Sequence, residues 1–196
     1  MTSKLVIFLS GTVLALSACG KHEAATTDTA NDVNMTADNG AAMDNGTDLN
    51  AAAPSPLTAQ GFVNAAAASD HFEVETSKLA AGSAKSAAVK AFASKMIAAH
   101  TASTAKLKGI VSGMNPPITP DDTLNPDQQA ALDGLKGKTG ADFDTAYAAA
   151  QVDGHQKTLD ALKNYSASGD NQTMKDFANG MVPTVTAHLN MAKGLK

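Results

Sequence analysis

Long alanine-rich stretches with apolar residues at three- and four-residue steps constrain the fold of this chain most strongly. That spacing is the period of an α-helix with one buried face. Hydrophobic residues make up 43% of the sequence but aromatic residues only 4%, so the core must be built largely from small side chains. Alanine favours helix and allows helices to approach closely. The pattern therefore predicts an all-α fold, a slim four-helix bundle.

Helix-capping residues mark the first half of the predicted bundle. Thr58 is placed to cap the first long helix, and Ser86 opens the second, which the Asn-Pro-Pro run at 115–117 ends. A short extra helix is expected at 126–136, because Asn125 can cap it and proline occupies its first position. This short helix lies in the connection between the second and third long helices.

The second half of the domain carries the other two long helices. Thr139 and Asp142 resemble a capping box at the start of the third, and Gly169 ends it. Asp170 is expected to cap the fourth, which contains Pro183. Short links join helices one to two and three to four, so each pair is antiparallel. Whether the second connection alternates or crosses the full length of the bundle is left open by the sequence.

The N-terminus has the features of a bacterial lipoprotein export signal. Lys4 gives a positive start, an apolar stretch follows at 5–14, and Leu16-Ser17-Ala18-Cys19 matches a lipobox. We predict that residues 1–18 are a signal peptide and that Cys19 carries the lipid, a diacylglycerol plus an amide-linked acyl chain such as palmitate. Gly20 follows the cysteine instead of aspartate. By resemblance to Gram-negative sorting rules, this predicts an outer-membrane anchor with the domain facing the periplasm.

Residues 19–57 are predicted to be a disordered acidic tether ahead of a domain at 58–196. The segment is rich in small and polar residues, has no aromatic residue, and contains six acids against one lysine. The domain itself has equal numbers of acids and lysines, and the whole chain has no arginine. This composition argues against a nucleic-acid partner. The membrane is expected to be contacted through the lipid anchor, and the sequence identifies no protein partner.

Four ionisable residues fall on predicted core faces, one on each long helix. They are Glu73, His100, His155 and His188. Ionisable groups are seldom buried without a partner or a metal, and metal sites in bundles are built from side chains on facing helices. The Glu-x-x-His signature of di-iron bundles is absent. Two interpretations stay open: core histidines hydrogen-bonded to neighbours, and a transition-metal or cofactor site at these four residues.

Helix heights give a first test of the metal interpretation. At about 1.5 Å per residue, alternating helices spread the three histidines over about 9 Å and set Glu73 apart. If the second connection instead crosses the full length of the bundle, Glu73, His155 and His188 lie at similar heights along the bundle axis. Neither arrangement is tight for one ion with ligand bonds of roughly 2 Å.

Several short motifs resemble the domain-of-unknown-function 4142 family of bacterial envelope proteins. They lie along 62–80, in 89–100 with His100, in 140–155 with His155, and around Pro183 and His188. The resemblance implies a ferritin-like four-helix fold over nearly all of 58–196, and it implies no established activity. Ala99 stands where the family usually has an aspartate before the second-helix histidine.

Two functions follow as hypotheses. The first is a non-enzymatic outer-membrane lipoprotein whose bundle has a structural, partner-binding or stress-related role. No catalytic triad spacing, glycine-rich phosphate loop or CxxC pair occurs in the sequence, so we expect no enzyme. The alternative is a metal- or cofactor-binding ferritin-like domain that uses the core glutamate and histidines. No cofactor is established by the sequence itself.

Overall fold

The computed structural model describes residues 57–195, and its five elements there are all α-helices. They are α1 (Ala59–Ser83), α2 (Ala87–Val111), α3 (Pro126–Lys136), α4 (Gly140–Ser168) and α5 (Gln172–Lys193). Four are long and α3 is the short extra helix, which confirms the predicted all-α bundle. Within this range, none of the helices is both long and apolar enough to span a bilayer. The predicted signal peptide, Cys19 and all of the tether before Leu57 lie outside the described residues.

Side-chain caps fix the starts of the first three helices as the sequence predicts. Thr58 and Ser86 each accept a hydrogen bond from a backbone N–H in the first turn of their helices. Asn125 and Gln128 form a reciprocal capping box at the start of α3, with proline at its first position. Each cap satisfies a backbone donor that would otherwise have no helical partner.

The predicted caps of the last two helices are wrong. Thr139 occupies the N-cap position of α4, but its side chain makes no cap hydrogen bond. The next residue, Gly140, has a φ of +65°, and this left-handed conformation turns the chain away from capping geometry. Asn171, rather than Asp170, caps α5. The Asp170 carboxylate instead accepts the hydroxyl of Tyr165 at 2.9 Å.

Contacts at the two ends of the bundle establish how the chain is connected. Ala84, just after α1, forms a bridge with Gly140 at the start of α4. At the other end, the backbone N–H of Asp170 donates to the carbonyl of Leu57, just before α1, at 3.3 Å. Helix α4 is therefore antiparallel to α1 and parallel to α2. The connection at 112–139, which includes α3, crosses the full length of the bundle.

The core consists of two apolar clusters separated by a polar layer. One cluster centres on Phe62, Tyr165 and Phe177, and the other on Phe92, Phe143 and Tyr147. Along α1, α2 and α4, buried polar residues occupy the turns between the two clusters. These polar residues are Asp70, Glu73, Thr76, Ser77, His100, Gln151 and His155, joined by His188 of α5.

Candidate metal centre

Three histidines from three helices meet in the polar layer. His100 of α2, His155 of α4 and His188 of α5 have ring centroids 5.5–5.6 Å apart in each pairing. One ring nitrogen from each lies within 4.8 Å of the others. Their exposed fractions are 5%, 1% and 9%. The structure therefore brings together the three histidines that the sequence singled out.

The orientation of His100 is fixed by a carboxylate on α1. Asp70 Oδ1 lies 2.8 Å from His100 Nδ1, and Asp70 Oδ2 accepts the Thr104 hydroxyl at 3.0 Å. Because a carboxylate only accepts, the shared proton is carried on Nδ1 of the histidine. This leaves Nε2 of His100, which is buried and has no hydrogen-bond partner among residues 57–195.

The orientation of His155 is fixed by its own helix. Its Nδ1–H donates to the carbonyl of Gln151, one turn earlier, at 2.8 Å. The side-chain amide of Gln151 in turn donates to the Thr76 hydroxyl at 3.2 Å. A backbone carbonyl only accepts, so His155 also carries its proton on Nδ1 and leaves Nε2 free. That Nε2 is likewise buried and unpartnered within the described chain.

His188 supplies the third free nitrogen. Its Nδ1 is buried and makes no hydrogen bond to any residue that the structure describes. Buried polar atoms are nearly always hydrogen-bonded, so three unpartnered imidazole nitrogens in one layer call for a physical explanation. A shared cation is the ligand that would satisfy all three at once.

Burial and neighbouring charges set the protonation of the three rings. Burial lowers the pKa of His155 to about 4, with a smaller opposing effect from the Gln151 carbonyl. Burial and positive charge on His100 lower the pKa of His188 to about 4. Burial also acts to lower the pKa of His100, but the Asp70 hydrogen bond and the charge of Glu73 outweigh it and raise that pKa. Two of the three rings are thus neutral near pH 7, which is the form that binds metal.

Glu73 lies beside this group without belonging to it. It is 1% exposed, and its Oε1 is 3.5 Å from Nδ1 of His155 rather than from the free Nε2 of that ring. Neither carboxylate oxygen has a hydrogen-bond partner among residues 57–195. Burial raises the pKa of Glu73 to about 7. The positive charge of His100 and the nearby Gln151 amide, which donates its hydrogen bond to Thr76, offset this only partly.

A glycine makes room for the Glu73 carboxylate. A Cβ atom added to Gly154 would lie 2.9 Å from Glu73 Oε1 and 3.5 Å from the ring of Phe72. Real Cβ atoms essentially never approach an oxygen that closely, so any larger residue at 154 forces the carboxylate to move. Gly154 is therefore part of the arrangement that places Glu73 against His155.

The heights of the α-carbons along the helices predict the wrong group of residues. The crossover connection predicted Glu73, His155 and His188 as the level set, but the structure clusters His100 with His155 and His188. Counting rise per residue locates α-carbons and ignores how far an imidazole reaches and how the helices tilt. The ligand atoms consequently lie closer together than the heights of their α-carbons suggest.

Asp70 and Thr104 were missed by the sequence argument. Asp70 precedes Glu73 by three residues, and Thr104 follows His100 by four. Residues at these separations share a helix face with the candidate ligand. That spacing could have identified both residues from the sequence, but only if an aspartate was assumed to be buried.

Other residues in the family-like motifs stabilise the packing of the helices. The Asp144 carboxylate accepts the backbone N–H groups of Lys85 and Ser86 at 3.1 and 2.8 Å, which fastens α4 to the start of α2. The hydroxyls of Tyr147 and Ser77 are 2.7 Å apart in the buried core. These contacts hold the helices that present the histidines.

Three imidazole nitrogens in one buried layer can hold one transition-metal ion. Ligands bound at roughly 2.1 Å in tetrahedral geometry are roughly 3.4 Å apart. The present upper separation of 4.8 Å requires a contraction of about 1.4 Å when an ion binds. Hydrogen bonds from the opposite ring nitrogens to a carboxylate or carbonyl, as seen for His100 and His155, are the usual support of metal-bound histidines.

A family model described as "Domain of unknown function (DUF4142)" matches residues 23–195. The chain belongs to this family. The resemblance inferred from the sequence motifs is thereby confirmed, and the DUF4142 match spans the whole described bundle. A search of curated proteins finds no match.

Two solved structures share the fold of this DUF4142 chain. They are "CopM in the Cu(II)-bound form" and "CopM in the Cu(I)-bound form", each with a TM-score of 0.57 and 15% sequence identity. The matches cover 70% and 69% of this chain and 94% and 92% of the respective CopM chains. At this level of identity the likeness establishes a common fold.

Proposed function

We propose that this DUF4142 domain binds a transition-metal ion through His100, His155 and His188. The observation that carries the proposal is that one ring nitrogen from each of the three buried histidines lies within 4.8 Å of the others. Each ring also has a buried nitrogen without a hydrogen-bond partner among residues 57–195, namely Nε2 of His100, Nε2 of His155 and Nδ1 of His188. Asp70 and the Gln151 carbonyl orient two of the rings so that their free nitrogens serve as ligands. A metal ion replaces three unsatisfied buried atoms with three coordinate bonds.

Copper is the first candidate for this ion. Imidazole ligands suit copper, zinc, iron and nickel, and the divalent affinity order places copper highest. The two CopM structures of similar fold are titled as copper-bound, which supports testing copper first. Three imidazole ligands without a thiolate suit Cu(II) or Zn(II) better than they suit Mg²⁺ or Ca²⁺, which take oxygen ligands.

Thermal unfolding with added metals tests the proposal. The chain from residue 19 onward is prepared without a histidine tag and with Cys19→Ser, which removes the only thiol. Copper, zinc, nickel and iron are added singly to chelator-treated protein. A ligand at one hundred times its Kd stabilises by about 2.7 kcal/mol, which raises the Tm by roughly 10 °C for a domain of this size. Metal content and stoichiometry are measured on the same samples.

Matched histidine variants locate the site. His100→Ala, His155→Ala and His188→Ala should each remove most of the metal-induced rise in Tm. His71→Ala is the control, because His71 lies outside the cluster and its Nδ1 is 2.9 Å from the Asp122 carbonyl. A wild-type chain that binds none of the four metals, or a Tm rise that survives all three cluster variants, contradicts the proposal.

We also propose that the chain is an outer-membrane lipoprotein whose domain faces the periplasm. The lipobox ending at Cys19 and the glycine at position 20 support this placement. Cells that produce wild-type or Cys19→Ala protein are labelled with a clickable fatty acid and separated into membrane fractions. Wild type should take up label and sediment with the outer membrane. Label on the Cys19→Ala protein contradicts the lipidation site.

A binding role, rather than an enzymatic one, is our proposal for the metal-loaded domain. The cluster rings are 9% exposed or less, so a substrate has little direct access to a metal held between them. We expect copper-loaded protein to oxidise phenols and dismutate superoxide no faster than the His100→Ala variant. Turnover that depends on His100, His155 and His188 would assign an enzyme instead.

A further inference from the structure

We infer that Glu73 determines the oxidation state preferred at the three-histidine site, because its buried carboxylate supplies a counter-charge that favours a divalent over a monovalent ion. The inference rests on the proposed function, since it concerns the ion held by His100, His155 and His188. It assigns Glu73 a role through the site's charge rather than through coordination.

The position of Glu73 argues against direct ligation. Its Oε1 is 3.5 Å from Nδ1 of His155, and that nitrogen already donates to the Gln151 carbonyl. The free nitrogen of His155 is Nε2, which is not the nitrogen that Glu73 approaches. The donor atoms of the described chain that lie within 4.8 Å of one another come from the three histidines and include no oxygen of Glu73.

The charge of the buried layer favours a doubly charged ion. The buried polar residues of the described chain include no lysine, and the two carboxylates at the site are Asp70 and Glu73. A metal-bound imidazole nitrogen carries no proton, so in the loaded site three neutral imidazoles, two carboxylates and a divalent ion sum to zero charge. A monovalent ion leaves one uncompensated negative charge in a site of low dielectric, which is costly.

The Glu73 carboxylate also keeps most of its negative field, because no hydrogen bond from the described chain offsets it. Neither oxygen of Glu73 is engaged by a hydrogen bond within residues 57–195, whereas Asp70 accepts from both His100 and Thr104. Donors that bind a carboxylate neutralise part of its field. Gly154 leaves the space in which Glu73 stays beside His155.

The size of the effect follows from charge and distance. Glu73 Oε1 is 3.5 Å from Nδ1 of His155, so the span of the ring and a metal–nitrogen bond of roughly 2 Å put the ion and the carboxylate no more than about 8 Å apart. Two unit charges at that distance, at an effective dielectric constant of about 20, change a ratio of binding constants by about ten- to fifty-fold. Loss of the charge should shift the ratio of Cu(II) to Cu(I) affinity by this factor.

The decisive experiment compares Glu73→Gln with wild type in Cu(II) and Cu(I) affinity. Each is measured at pH 8 by competition with a chromogenic chelator specific for one oxidation state. We expect Glu73→Gln to lower the Cu(II)/Cu(I) affinity ratio about ten- to fifty-fold, which raises the reduction potential by about 59 mV for each factor of ten. The electron paramagnetic resonance spectrum of the Cu(II) form should keep the signature of nitrogen ligands.

Two further variants complete the design. Glu75→Gln is the matched control, since Glu75 lies on the same helix but pairs with Lys78 at the surface at 2.7 Å; its affinity ratio should stay at the wild-type value. Glu73→Leu removes the charge without an amide and should shift the ratio in the same direction as Glu73→Gln, which keeps the test usable if one variant folds poorly.

The outcomes separate the inference from the proposed function. Wild-type protein that holds no copper at the three histidines overturns the proposed function and the inference with it. Copper held with an unchanged affinity ratio in Glu73→Gln and Glu73→Leu overturns the inference alone. An altered ligand signature in the Glu73→Gln spectrum also overturns it, because Glu73 would then be a ligand.

Discussion

Asp70 and Glu73 stand almost one helical turn apart on α1, and each places a buried carboxylate beside a buried histidine. The Asp70–His100 pair is closed: the two groups are 2.8 Å apart, and the second oxygen of Asp70 accepts from Thr104. The Glu73–His155 pair is open: the nearest atoms are 3.5 Å apart, and neither oxygen of Glu73 is hydrogen-bonded within residues 57–195. The same two functional groups are thus used in two different ways on one helix.

This difference distinguishes a carboxylate that stabilises the fold from a carboxylate whose charge is left uncompensated in the metal-free protein. A buried charge with its hydrogen bonds made contributes to a unique structure, whereas a buried charge without them costs stability. Local features that lower stability are expected at functional sites. The open pair therefore identifies the side of the polar layer where the metal-free protein holds a buried carboxylate without a hydrogen-bond partner.

The largest expected effect comes from breaking the closed pair. Asp70→Ala should lower the free energy of unfolding by about 3–5 kcal/mol, because it leaves His100 buried without its partner. Urea unfolding of the metal-free chain measures this change. His100→Ala and the double variant complete a cycle that isolates the pairwise energy.

The same cycle on the open pair provides the comparison. Glu73→Ala and His155→Ala should couple by well under 1 kcal/mol, against about 2 kcal/mol for Asp70 and His100. Equal coupling energies in the two cycles would show that the closed and open pairs contribute equally to the free energy of unfolding.

The next effect concerns the pH dependence of the open pair. Burial raises the pKa of Glu73 to about 7 from 4.5, so the folded state holds this proton more tightly than the unfolded state. Its contribution to stability is complete below about pH 4.5 and is lost as the pH rises through about 7. Glutamine does not titrate. In metal-free protein, the unfolding free energy of Glu73→Gln relative to wild type should rise by about 2–3 kcal/mol between pH 4.5 and pH 8.

Urea unfolding at intervals of pH, with chelator present, checks this prediction. Glu75→Gln is again the control and should follow the wild-type curve, since Glu75 lies at the surface beside Lys78. A constant difference between Glu73→Gln and wild type across this pH range would mean that the carboxylate is not destabilised by burial.

The smallest effect tests the space reserved for Glu73. Gly154→Ala adds a Cβ atom 2.9 Å from Glu73 Oε1, so the gain in helix propensity is opposed by displacement of the carboxylate. Gly180→Ala is the matched control, because nothing lies within 4 Å of its added Cβ. Gly180→Ala should stabilise by about 0.5–1 kcal/mol, and Gly154→Ala should be about 1 kcal/mol less favourable than that control.

Thermal unfolding of both glycine variants, alone and with Glu73→Ala, measures this difference. Removal of the Glu73 side chain should bring Gly154→Ala close to Gly180→Ala. If the two glycine variants remain as different in the Glu73→Ala background, the carboxylate is not what opposes a larger residue at 154, since the nearest atom of Phe72, at 3.5 Å, is in ordinary van der Waals contact with the added Cβ.

Much of the architecture was predictable from local sequence. The apolar period gave the four long helices, and Thr58, Ser86 and Asn125 gave three correct helix starts, because capping depends on residues within one turn. The two wrong caps have tertiary or backbone causes. Asp170 is taken by the hydroxyl of Tyr165, and Gly140 adopts a left-handed conformation in place of a capping-box geometry.

The sequence by itself determined that the chain forms a helical bundle and that His100, His155 and His188 lie on its core faces. It could do so because helix faces are set by residue spacing along one segment. Tertiary structure decided which of the four candidate residues meet. The full-length crossover, fixed by the contacts of Ala84 with Gly140 and of Leu57 with Asp170, sets the relative heights of helices far apart in the chain. It also decided that Asp70 closes on His100 while Glu73 stays open beside His155, because hydrogen bonds between helices depend on side-chain reach and packing that no local pattern encodes.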